Sequence, residues 1–136
     1  MPIRRNKDQK KESLIDFYNR DEWTGPFEIS ARKMLDVINW LNTNFKQTEL
    51  IGTTSHQRLV IHASENDDSE WSIIISNSGL KEYYIEYKVP KAQSPWENAW
   101  IHGTAKDFNE IKQYILIAMK ESGNWKGTNE FENLTE

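Results

Sequence analysis

The hydrophobic period of this chain changes twice along its length, and those two changes bound the fold. Between Glu28 and Lys46, Met34, Val37, Ile38, Leu41 and Phe45 recur at steps of three and four, while Arg32, Lys33, Asp36 and Asn39 fall elsewhere. That is the stripe of an amphipathic helix. From about residue 48 the period drops to two, and from Asp107 it returns to the helical value. Helix, strands, helix in that order predict an α+β two-layer sandwich rather than an alternating α/β fold.

The first helix is expected over about 30–46, with Ser30 as N-cap and the polar run after Leu41 as its end. Ahead of it, Leu14, Phe17 and Tyr18 share a face in an expected short helix, which Gly25-Pro26 would close. The strand region contains three clear runs. Gln57–Ala63 sets Leu59, Ile61 and Ala63 against Val60 and His62; Trp71–Ser76 sets Trp71, Ile73 and Ile75 against serines; Lys81–Val89 sets Tyr83, Ile85, Tyr87 and Val89 against Glu82, Tyr84, Glu86 and Lys88. Asn77-Ser78-Gly79 is turn chemistry, which makes the last two runs a hairpin. A fourth strand follows at Ala99–Thr104, and Leu50–Thr54 is a weaker candidate for an edge strand. The second helix spans about 107–122. Asp107 and Glu110 have capping-box spacing, Phe108, Ile111, Ile115, Ala118 and Met119 form a stripe that Tyr114, Leu116 and Ile117 widen, and Gly123 ends it. The expectation is an antiparallel sheet of about four strands, with both helices on the face carrying Tyr83, Ile85 and Tyr87.

One domain over residues 13–126 accounts for the 136 residues, between a basic, flexible arm at 1–12 and a polar, acidic tail at 127–136. Six tryptophans, five tyrosines and five phenylalanines supply enough apolar surface to offset the entropy of ordering. The chain has no cysteine, which excludes disulfides, thiolate metal sites and thiol nucleophiles. Neither a secretory signal nor a membrane-length apolar run is present, so a cytoplasmic location with no membrane contact is expected. Charge is uneven. Arg4, Arg5, Lys7, Lys10 and Lys11 against Asp8 make +4 over residues 1–11, so a net charge of −4 leaves −8 for the remainder. An acidic body repels phosphates, and any nucleic-acid contact would have to use those five basic residues.

The chemical motifs are mostly absences. The glycines make no phosphate loop, HExxH spacing is missing, and no serine sits in a nucleophile elbow. His62 and His102 both fall on expected strands, so a metal-independent enzyme using them as acid–base groups is one alternative. Glu65, Asp67, Asp68 and Glu70 form an acidic turn that lacks the glycine and terminal acid of a calcium loop. Such a patch suits docking on a basic protein. Trp96 and Glu97, in the loop Pro95–Asn98, form a second candidate contact, because an exposed tryptophan ringed by polar groups is a common interface anchor. Tyr84 lies on the solvated side of its strand, where it would be placed to stack a base, but Glu82 and Glu86 beside it oppose a phosphate chain.

Together these features predict a non-enzymatic protein-binding module with no cofactor. The most concrete form is a small acidic bacterial immunity or inhibitor protein that occludes a toxin or nuclease with a basic site. The alternatives are a nucleic-acid-associated protein using its basic arm, or the two-histidine enzyme.

Overall fold

The computed structural model describes residues 3–5, 12–46, 48–62, 73–77, 82–97, 99–122 and 125. Within them, strands β1 (Arg4–Arg5), β2 (Ile51–Ser55), β3 (Arg58–His62), β4 (Ile73–Asn77), β5 (Tyr83–Lys88) and β6 (Trp100–Ala105) form one sheet in chain order. Helices α1 (Leu14–Tyr18) and α2 (Pro26–Asn44) lie between β1 and β2, and α3 (Phe108–Ser122) follows β6. The fold is α+β, with six strands rather than about four.

The additional strands change the character of the sheet. β1 runs parallel to β2, pairing Arg4 with Ile51 and Arg5 with Gly52, so the sheet is mixed. A parallel pair needs a crossover of a dozen or more residues, and α1 with α2 supplies it. Two residues have no period to read, which is why β1 is invisible in the sequence. Its presence also moves β2 from the expected edge into the interior, between β1 and β3.

From β2 to β6 every pair is antiparallel, and the registers sort the side chains onto two faces. Leu59, Ile61, Ile73, Ile75, Tyr83, Ile85 and Tyr87 are buried on one of them. There they meet Met34, Val37, Ile38 and Leu41 of α2 and Ile111, Ile115, Ala118 and Met119 of α3 in a common core. Each such side chain taken out of water contributes about 1.5–3 kcal/mol before the entropy of ordering is subtracted. The opposite face carries Thr53, Val60, Ile74, Glu86 and His102 in one cross-strand row. None of these five is buried.

Helix starts follow local chemistry, with two corrections. Ser13 caps α1, its hydroxyl accepting from the Asp16 amide at 3.1 Å. α2 begins at Pro26 and not at Ser30: Gly25 takes φ 59° and Pro26 occupies the first turn, where its missing N–H costs nothing. Ser30 instead is buried one turn inside the helix, and its hydroxyl donates to the Asn77 carbonyl on β4. At α3 the Glu110 amide donates to Asp107 Oδ1 at 2.9 Å, as a capping box requires. The Glu110 carboxylate accepts from the Lys106 amide at 3.2 Å, one residue earlier than the motif predicts. No helix among the described residues is long and apolar enough to cross a membrane.

Candidate functional site

The loop from β5 to β6 presents the most exposed aromatic side chain of the described chain. The ladder continues one pair beyond β5, with the Val89 amide donating to the Ala99 carbonyl at 2.9 Å. The chain therefore leaves the sheet after Val89 and rejoins it at Ala99, at the same place. Pro90 begins a short 3-10 turn, Lys91–Gln93, closed by the Gln93 amide on the Pro90 carbonyl at 2.9 Å. The Ser94 hydroxyl then donates to the Trp96 carbonyl. Trp96 is 71% exposed on this braced turn, with exposed Glu97 beside it. It does not cap the core. Leaving an indole in water forfeits a large apolar burial, so its position is informative in a way that a scattered surface leucine is not.

β6 continues from that loop and, among the described residues, forms the outer edge of the sheet. In an antiparallel pair, alternate residues exchange both backbone hydrogen bonds, and the residues between them point their N–H and C=O away. Val89 and Ala99 are a bonded pair. By alternation Ile101, Gly103 and Ala105 bond to β5, whereas Trp100, His102 and Thr104 direct their backbone groups outward. Trp100 is 38% and Ile101 45% exposed.

Each face of the sheet has a depression beside this edge. On the helical side, Tyr87, Ile101, Gly103, Tyr114 and Ile117 line a largely apolar hollow of about 270 Å3. The glycine makes it possible, since a Cβ at Gly103 would already touch Ile85 and Tyr114. Ile117, expected to widen the buried stripe of α3, is 49% exposed because the stripe is broader than the helix–sheet contact. On the open side, Tyr84, Glu86, His102 and Thr104 line a more polar hollow of about 310 Å3.

Glu86 is the electrostatic centre of the open face. Its carboxylate is 3.0 Å from His102 Nδ1 and 3.9 Å from an Arg58 nitrogen. Arg58 lies on β3, two strands from Glu86, so its side chain reaches across β4 to it. Glu86 is thus already engaged by basic groups of this chain. On the helical side, the Glu110 carboxylate and partial burial hold the Tyr114 phenol above its ordinary pKa, and burial followed by Glu121 does the same to Tyr87.

The other expected site residues are dispersed. Glu65, Asp67, Asp68 and Glu70 lie outside the described residues, as do Lys7, Lys10 and Lys11. Arg4 and Arg5 form β1, where Arg4 pairs with Glu49 at 2.6 Å and Arg5 donates to Thr54 Oγ1 at 2.8 Å. His62 and His102 do not meet. They lie on β3 and β6 with β4 and β5 between them, a separation of roughly 14 Å or more at ordinary strand spacing. His62 is also buried, whereas the His102 side chain is 71% exposed. Among the described residues no group of three or more His, Asp or Glu is placed to hold a metal ion.

A third hollow, of about 500 Å3, is lined by Phe17, Arg20, Trp23, Phe27, His56 and Gln57. Its cation is committed internally. The Arg20 guanidinium holds Glu12 at 2.5 Å and stacks 4.6 Å from the Phe17 ring centre, and the Trp23 indole donates to the Phe17 carbonyl at 2.7 Å. No protein-family model, curated protein or solved structure matches the chain.

Proposed function

We propose that this protein is a non-enzymatic protein-binding module whose contact surface comprises the Trp96 turn and the adjoining open face beside β6. The observation that carries the reading is the exposure of Trp96 on a turn held by its own hydrogen bonds, continuous in sequence with exposed Trp100 on the open face. Rigid, exposed aromatics are the usual anchors of protein interfaces, and a preorganised turn binds with little ordering cost. Glu97 and Glu86 supply a polar surround. The most concrete form of this reading is an inhibitor or immunity-type protein that occludes a partner with a basic site. Its support is the charge of −8 outside the first eleven residues, which steers a basic partner toward the molecule and rejects an acidic one.

The test is co-purification of the full chain with the protein encoded beside it. A stoichiometric complex is expected, and Trp96→Ala should weaken it by about 30-fold or more, as for an anchor contributing ~2 kcal/mol. A complex that forms equally well with the variant would remove the Trp96 turn from the interface.

A further inference from the structure

The outer edge of β6 is built in a way that folding alone does not require. Edge strands are ordinarily blunted by lysine, proline, a bulge or shortness, because an unpaired row of N–H and C=O groups templates further strand pairing. Trp100–Ala105 is six residues long, contains neither lysine nor proline, and keeps an unbroken register with β5. The opposite edge, β1, is only two residues long. Among the described residues nothing pairs with the outward side of Trp100, His102 and Thr104.

We propose that β6 pairs with β6 of a second copy of this chain, antiparallel about a two-fold axis through His102, joining two sheets into one. The register follows from the backbone. Centring the axis on His102 opposes His102 to its own copy and Trp100 to Thr104 of the other, so all three outward-facing residues of the strand exchange hydrogen bonds. The side chains fit the same register. On the helical face it sets Ile101 of one copy against Gly103 of the other, where the absent Cβ leaves the hollow bounded by Tyr114 and Ile117. On the open face it sets bulky Trp100 against small Thr104, beside Tyr84. The large residues stand in the first half of the strand and the small ones in the second, and an antiparallel two-fold brings large against small twice. No charge has to be buried on the helical side. At the axis the two His102 rings each retain the Glu86 carboxylate of their own chain. The pairing would merge the two open faces and leave the Trp96 turns flanking them.

Sedimentation velocity and light scattering on the full chain test this directly. The wild type is expected to give about twice its 16.1 kDa chain mass at micromolar concentrations. His102→Pro deletes an outward N–H and none directed at β5, so it should yield the single-chain mass with an unchanged circular dichroism spectrum. Ile101→Lys, a side chain already half in water, should also separate the copies, and it serves as the deciding variant if His102→Pro fails to fold. A wild type that stays at the single-chain mass up to about 1 mM overturns the proposal and leaves this edge to a strand of a different protein. So does a dimer that survives both substitutions, since it would use another surface.

Discussion

Gly52 is a glycine for want of space. A Cβ there would lie 2.5 Å from Leu14 Cδ1 and 3.3 Å from Ile3 Cδ1, at the point where α1 presses on β2. Leu14 is buried and has little freedom to withdraw. Gly52→Ala is therefore expected to destabilise the fold by about 1–3 kcal/mol in urea denaturation, the ordinary cost of overpacking a filled core. Gly103→Ala, compared in the single-chain Ile101→Lys background, is the control: its Cβ would sit 3.4 Å from Ile85 Cγ2, a normal contact, and the change should stay within about 0.5 kcal/mol. An equal loss in both variants would mean that Leu14 is free to move. None of this is legible in the sequence, where Gly52 merely weakens a candidate strand. Crowding by Leu14 is a tertiary fact, separated from Gly52 by the whole of α2. Ser30 is the converse case. Its type and position suit an N-cap, and only the position of β4 reveals that its hydroxyl is used as a strut to the Asn77 carbonyl.

At the level of elements, α2 owes its start to backbone geometry alone. Gly25 has open space around its Cα but a φ of 59°, which an L side chain adopts only under strain. Gly25→Ala should cost about 1–3 kcal/mol with no steric contribution, again read from the denaturation midpoint. An unchanged midpoint would show that α2 can begin by another route, with Ser30 as the nearest available cap. Existence and type of the long elements were readable because α2, α3, β3 and β5 carry strong periods. Order in the sheet was not, since periodicity says which face a residue takes and nothing about which strand lies beside it. That is why β2 is expected at an edge, and why the sequence gives no sign that β6 is the last strand of the sheet among the described residues. The candidate site was legible in the same uneven way. Trp96 stands out in a polar loop directly after Pro95, whereas Trp100 and Ile101 read as ordinary strand residues and Ile117 as part of a core stripe.

For the molecule as a whole, the buried phenols predict a direction of pH dependence. Burial pushes the Tyr83 hydroxyl up to about 12, with Asp36 adding to the shift, and raises Tyr18 well beyond its ordinary range despite nearby Arg5. The Tyr18 hydroxyl donates to the Gln57 carbonyl at 3.0 Å, a bond its anion could not make. In the unfolded chain these groups ionise near pH ~10. Above that pH the unfolded state has released protons that the folded state still holds, so stability falls as pH climbs from about 10 toward 12 and is unaffected by these groups below that window. The urea midpoint should drop between pH ~10 and ~12, and less so in Tyr83→Phe. A midpoint that holds steady across that interval would place the phenols in contact with water.

The claim that organises the rest is that this molecule meets its protein partner through the Trp96 turn and the face beside β6. Amide hydrogen exchange of the full chain, alone and in complex with the co-purified neighbour, tests it most directly. Slowed exchange is predicted to be concentrated in the turn at residues 94–99, since the amides of β6 are already bonded to β5 or to the second copy. Protection confined to the α1–α2 hollow or to residues 63–72, with 94–99 unchanged, would contradict it.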